Sequence, residues 1–256
     1  MYLGKTIYMS RIILSAASRV GNVRSNNEDM VLAFDRFVRS DVYATEFMTG
    51  NSDRFVIALA DGMGGHNAGE VASSDVLTNL RFFLGDLPPR LSTGDFYEMM
   101  EEWLQSVNHM IASKGHVNPE MSEMGTTLVG VIFYNDKYYW MNCGDSRLYR
   151  YRDNKLAQLT TDHSLINKNG VKRHSNIITN CIGGGCKNSY MDMFEFTNDV
   201  LSGDQYILCS DGLNDMISDE EIARLAAQGA SANQMCEAAI EAGGYDNVSV
   251  CVIKVK

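Results

Sequence analysis

From Thr127 to Leu159 the chain reads TLVGVIFYNDKYYWMNCGDSRLYRYRDNKLAQL. Four runs rich in Val, Ile and aromatic residues lie within it, at Thr127–Phe133, Tyr138–Asn142, Arg147–Tyr151 and Lys155–Leu159. The turn formers Asn135-Asp136 and Asp153-Asn154 help divide them. Such runs predict strands. Connections this short join antiparallel neighbours, because a parallel pair needs a long crossover. Similar runs recur upstream at Ile12–Ala17, Met30–Phe34 and Phe55–Ala60, and downstream at Met191–Phe196, Gln205–Cys209 and Val248–Val255. Helical spacing appears at Ala68–Leu84, stopped by Pro88-Pro89, and along Phe96, Met99, Met100, Trp103, Leu104, Val107, Met110 and Ile111. That Met and Trp stripe reads as core packing. A later helical pair covers Ser218–Ala227 and Asn233–Glu241, the first opened by Ser218 and Asp219-Glu220-Glu221. The economical architecture is α+β: a four-layer α-β-β-α sandwich, two central antiparallel sheets flanked by helices.

The totals suit this plan. A chain of 256 residues with 45% hydrophobic content can bury about three quarters of its unfolded surface. No linker or repeat divides it, so residues 1–256 read as a single domain. A formal charge of −10 argues against a nucleic-acid partner, which needs a basic face. No apolar run approaches the ~18 residues of a membrane helix, and the opening segment lacks a signal peptide's apolar core. The six cysteines show no paired zinc spacing and read as reduced thiols, implying a cytoplasmic setting. A monomer without a membrane anchor is expected.

Four aspartates share one kind of setting: Ala-Leu-Ala-Asp61-Gly, Asn-Cys-Gly-Asp145-Ser, Leu-Cys-Ser-Asp211-Gly and Gly-Tyr-Asp246-Asn. Each follows an apolar or small-residue run and sits beside a residue that lets the chain turn. Four such carboxylates brought together repel unless a cation neutralises them. Oxygen-only ligands select hard ions such as Mg²⁺, Mn²⁺ or Ca²⁺. Elsewhere, Gly21-Asn-Val-Arg24-Ser-Asn-Asn-Glu28-Asp29 sets a permanent cation four residues before a carboxylate pair. Arg24 is suited to gripping two phosphate oxygens at once. Neighbours on a regular strand face opposite ways, so Glu28 and Asp29 share a site only if the chain bends there.

These segments, with Asp61-Gly-Met-Gly-Gly-His, Gly125-Thr-Thr-Leu, Gly144-Asp145-Ser-Arg147, Asp162-His-Ser164, Ser202-Gly-Asp204, Cys209-Ser-Asp211-Gly-Leu213 and Asp246-Asn247-Val-Ser249, occur in one order from about Arg11 to Val255. In this the chain resembles the PPM-type metal-dependent serine/threonine protein phosphatases, the type 2C phosphatases, in their compact bacterial form. The resemblance implies two Mn²⁺ or Mg²⁺ ions between the sheets. Asp61 bridges them, Asp211 and Asp246 hold one, and the Gly62 carbonyl and Glu28 serve the other. Asp145 with Asp211 matches the place of a third, weaker ion, and Asp29 orders metal-bound water. The resemblance further implies phosphoserine and phosphothreonine hydrolysis by a metal-bridging hydroxide. Arg24 and the metals stabilise the equatorial oxygens. Substrates are then phosphoproteins, and a cognate kinase is a partner only by analogy.

Two features depart from the pattern. Many eukaryotic relatives carry a histidine directly after the Asp-Gly pair, where this chain has Met63. Neither His66 nor His163 inherits the role, so metal-bound water is expected to act as the acid. The flap after Asp162-His-Ser164 is short, about 165–178, and carries Lys168, Lys172 and Arg173 beside His174, a cluster suited to a phosphopeptide. Cysteine-based phosphate chemistry fails on spacing. Cys181-Ile-Gly-Gly-Gly-Cys-Lys187 ends in lysine, and Arg147 follows Cys143 by only four residues. The glycine run lacks the ending of a nucleotide loop. The alternative from another class is a catalytically inactive relative that binds phosphoproteins. Such a protein is expected to have lost metal ligands, and here all four aspartates and Arg24 are present.

Overall fold

The structure, a computed structural model, describes residues 10–51, 54–64, 68–165 and 177–256. The chain begins with strands β1 (Arg11–Arg19), β2 (Met30–Ala33), β3 (Arg36–Val38), β4 (Val42–Met48), β5 (Arg54–Ala60) and β6 (Gly62–Met63). Helices α1 (Ala68–Asp86) and α2 (Thr93–Val117) follow. Next come β7 (Gly125–Thr126), β8 (Leu128–Tyr134), β9 (Lys137–Cys143), β10 (Arg147–Arg152), β11 (Lys155–Gln158), β12 (Ile182–Gly183), β13 (Asp192–Glu195) and β14 (Gln205–Cys209). Helices α3 (Asp211–Asn214), α4 (Asp219–Ala227) and α5 (Ala232–Glu241) precede the last strand, β15 (Val248–Val255).

Two six-stranded antiparallel sheets form the centre, ordered β11-β10-β14-β15-β1-β4 and β13-β9-β8-β5-β2-β3. The inner strands β2, β5, β8, β14 and β15 are buried on both faces, which is why they read as nearly continuous apolar runs. In β15, Val248, Val250 and Val252 face α4 and α5, while Cys251, Ile253 and Val255 face the other sheet. In β5, Val56, Ala58 and Ala60 pack under α1 and α2, while Ile57 and Leu59 join the core between the sheets. The two-residue alternation of a strand thus feeds two cores at once. The result is the expected α-β-β-α order.

The ten strands expected from the sequence are all present, with ends shifted by a residue or two. β4 was not expected: Thr45 and Glu46 interrupt its apolar residues, and its side chains are exposed or half-exposed at the sheet edge. Helix α2 starts three residues before the apolar stripe because Ser92 caps it, accepting a hydrogen bond from the Asp95 N–H. A third small sheet, β12-β7-β6, lies beside Asp61.

Candidate metal centre

Asp61 follows directly on β5, where the chain leaves the sheet core. Its backbone is fixed by a threonine pair, Thr126 at the end of β7 and Thr127 just before β8. The Asp61 N–H donates to Thr127 Oγ1 at 3.1 Å, and its carbonyl accepts from the Thr127 N–H and from Thr126 Oγ1. Thr127 Oγ1 also meets Ser146 Oγ at 2.7 Å, which ties this turn to the one bearing Asp145. After Asp61 the backbone must run against helix α1. A Cβ on Gly62 would stand 2.1 Å from the Gly69 carbonyl oxygen and 2.6 Å from that of Glu28. Only glycine fits.

Glu28 and Asp29 do share this site. Regular pairing in β2 starts only at Met30, so both lie in the irregular approach, where the two-sided rule does not apply. The Glu28 N–H donates to Asn247 Oδ1, and its carbonyl accepts from Ser73 Oγ on α1. Asp29 is wholly buried, and Ser210 Oγ donates to its Oδ2 at 2.8 Å. Ser210 in turn accepts from the Ser249 N–H, and Ser249 Oγ meets Ser18 Oγ at 2.8 Å. Asp29 Oδ1 receives no hydrogen bond. Its neighbour Asp61 can satisfy it only while one of the two carboxyls keeps a proton.

Asp211 opens α3, and Asp246 precedes β15. The Asp246 carboxylate accepts from Arg24 Nη2 at 2.7 Å, and both groups are well exposed to solvent. This partner raises the Arg24 pKa further, so the guanidinium stays charged. Asp145 sits in the turn between β9 and β10. That turn is clamped by His163, whose Nδ1 accepts the Gly144 N–H, and by Arg147, which binds Asp162 with two nitrogens. His163 also meets Asp192 through Nε2, so it is engaged in structure and not free as an acid.

The electrostatics join these groups. Burial, then the charges of Asp29, Asp211, Asp145 and Asp246, raises the Asp61 pKa well above the ordinary carboxylate range. Burial followed by Asp145, Asp215 and Asp246 pushes Asp211 up to about 8. Asp29 and Asp145 each rise to about 6, chiefly through burial. Glu28 is raised by burial and by Asp246, against the pull of Arg24. Among the described residues, no three acidic, histidine or cysteine side chains are drawn into a finished coordination cluster. The donor chemistry nevertheless fits a hard cation: oxygen ligands only, desolvated, mutually repelling, one buried oxygen without a donor.

Sequence reading placed Arg24, Glu28, Asp29, Asp61, Gly62, Asp145, Asp211 and Asp246 in one site, and the fold brings them together. It missed the residues that hold them: Thr126, Thr127, Ser210, Asn247 and Ser249. Arg39 was missed too; it bonds the Asp29 carbonyl, the Glu70 carboxylate and Ser73. Their motifs were visible, but serine and threonine side chains gain such roles only from partners distant in sequence. Lys168, Lys172, Arg173, His174 and His66 lie outside the described residues. The base of the flap is closed by the Ser164–Ile178 bridge.

Acidic side chains at strand ends between two antiparallel sheets, with one arginine beside them, define a hard-cation site of the kind that handles phosphate. The family model for protein phosphatase 2C matches residues 38–242. Serine/threonine protein phosphatase PstP of Mycobacterium tuberculosis is 33% identical over 96% of this chain; the chain spans about half of that relative, 46% of its length. A solved serine/threonine phosphatase of S. agalactiae superposes with TM-score 0.80 at 26% identity, covering 96% of this chain and 100% of the other. The PstP catalytic domain, solved with two manganese ions, superposes at TM-score 0.72 with 33% identity, covering 96% and 99%. The chain belongs to the protein phosphatase 2C family.

Proposed function

We propose that this chain is a metal-dependent protein serine/threonine phosphatase acting on phosphoserine and phosphothreonine. The observation that carries this reading is the group of buried and half-buried, mutually repelling carboxylates beside Arg24. Asp61 would hold both of two Mn²⁺ or Mg²⁺ ions, Asp211 and Asp246 one, and Glu28 with the Gly62 carbonyl the other. Asp145 and Asp211 would hold a third, weaker ion. A bound pair of such ions supplies Lewis-acid charge and lowers the pKa of water.

The chain's own groups do the rest. Arg24 offers two parallel N–H donors to phosphate oxygens. Its pair with Asp246 is exposed, and such pairs contribute no more than about 1 kcal/mol, so a phosphate dianion can take the guanidinium over. Asp29, held by Ser210, keeps its other carboxylate oxygen buried and without a donor, and the charge of Asp61 acts on it there. Met63 cannot give a proton and His163 is engaged elsewhere, so the leaving serine oxygen takes its proton from solvent.

Phosphoproteins are the substrates in this reading, with a cognate kinase as the opposing partner. A single catalytic domain acting as a cytoplasmic monomer is consistent with six free thiols. No helix among the described residues is long and apolar enough to cross a membrane. Aryl-phosphate hydrolysis, measured with and without Mn²⁺ for the native chain and Asp211→Asn, tests the proposal. Metal-independent turnover, or an unaffected variant, would refute it.

A further inference from the structure

The turn Cys181-Ile-Gly-Gly-Gly-Cys186 has the wrong spacing to hold phosphate, yet it brings two thiols together. Gly183, Gly184 and Gly185 stand at φ +75°, +55° and +77°, a path that only glycine follows without steric cost. The Cys186 N–H donates to the Gly183 carbonyl at 2.9 Å, which closes the turn. Cys181 Sγ then lies 3.5 Å from Cys186 Sγ. Asn108 of α2 pins the turn twice: its Oδ1 accepts from the Gly183 N–H at 2.7 Å, and its Nδ2 donates to the Cys186 carbonyl at 3.0 Å. The two sulfurs differ in access. Cys181 is buried and burial raises its thiol pKa, whereas Cys186 is half-exposed. Among the described residues, no atom lies within 4 Å of where a Cβ on Gly185 would stand. A Cβ on Gly184 would come 2.8 Å from Cys181 Sγ, so glycine there leaves that sulfur its room. A third thiol, Cys143, feels the charge of Cys186, but it is wholly buried, and burial pushes it up to about 12.

We propose that Cys181 and Cys186 are a reversible dithiol–disulfide couple oxidised by hydroperoxides. The half-exposed Cys186, as thiolate, attacks one peroxide oxygen and the O–O bond breaks. The other oxygen leaves with the thiol's proton, as an alcohol or as water, and Cys186 becomes a sulfenic acid. The Cys181 sulfur attacks the sulfenic sulfur; the S–O bond breaks, the S–S bond forms, and hydroxide leaves with the Cys181 proton as water. Two electrons pass from the thiols to the peroxide, and a thiol reductant returns them by exchange. The sulfurs close by about 1.5 Å to reach disulfide length, a distance that side-chain rotation supplies. Ile182, between the cysteines, pairs with Thr126, and Thr126 pairs with Gly62, so the couple belongs to the small sheet that carries the Gly62 carbonyl. The proposal stands apart from the phosphatase reading, because mass and thiol count read it without turnover.

Treatment of the reduced full chain with hydrogen peroxide, without added metal, provides the test. Trypsin releases residues 174–187 as one peptide holding both cysteines and no other. After peroxide that peptide should be lighter by two hydrogens, and the chain should show two fewer free thiols than its reduced six. Circular dichroism should be unchanged, and dithiothreitol should reverse the mass shift in full. Cys181→Ser should leave Cys186 as a sulfenic acid that dimedone traps. Cys186→Ser should leave Cys181 a free thiol at the same peroxide dose. Cys143→Ala should keep the native behaviour. Recovery of the peptide with both thiols free, or with Cys186 carried to sulfinic acid beside a free Cys181, would overturn the couple. A bridge to Cys143, or a disulfide formed only in urea, would overturn it equally.

Discussion

Cation affinity should climb with pH in stages set by the carboxyls of the site. Burial and neighbouring charge put Asp211 at about 8 and raise Asp61 well above its ordinary value, while Asp29 and Asp145 stand at about 6. A hard dication binds the carboxylate, so each retained proton must leave on binding. Between about pH 6.5 and 7.5, Asp211 alone releases nearly one proton, and affinity rises about eightfold over that unit. Below about pH 6, Asp29 and Asp145 add their protons and the slope steepens. Stability without metal runs the other way. These acids have higher pKa values folded than unfolded, so the native state holds more protons and loses stability as pH rises from about 4 to about 8. Saturating Mn²⁺ binds the native carboxylates and should remove that decline. Calorimetric titration in two buffers of different ionisation heat counts the protons released per ion. Urea unfolding across the same pH range, with and without Mn²⁺, gives the second half. Zero proton release near neutral pH, together with metal-free stability that is flat or rising with pH, would refute the account of mutually repelling buried acids.

Three further outcomes follow from the packing. Gly62→Ala drives a methyl into two carbonyl oxygens, at 2.1 and 2.6 Å, and should cost more than about 4 kcal/mol or abolish soluble expression, read by circular dichroism and urea melts. Ser210→Ala removes the hydroxyl that donates to Asp29 and accepts from the Ser249 N–H; a loss of about 1–3 kcal/mol is expected in the same melts. Asp145→Asn should slow turnover while leaving two tight Mn²⁺ sites in calorimetry, whereas Asp61→Asn should abolish both, and equal loss of the tight sites in the two variants would void that division of labour.

The residues near one another in sequence determined much of this protein. Runs rich in Val, Ile and aromatics, with paired turn residues such as Asn135-Asp136, wrote the strands and hairpins, because strand preference and turn geometry are settled within a few positions. The carboxylate types and their Gly or Asn neighbours wrote the chemistry. Edge strand β4 was not read, since Thr45 and Glu46 break its apolar residues into two short pieces and no side chain of the strand is buried. Tertiary structure alone decided how the ligands are held. Ser18, Ser249, Ser210 and Asp29 form one polar chain across both sheets, although Ser18 and Ser249 are 231 positions apart and Ser210 and Asp29 are 181 apart. It also decided the size of the electrostatic strain. A carboxylate beside glycine is ordinary in sequence; Asp211 holds its proton near neutral pH only because folding removes its water and sets Asp145 and Asp246 against it.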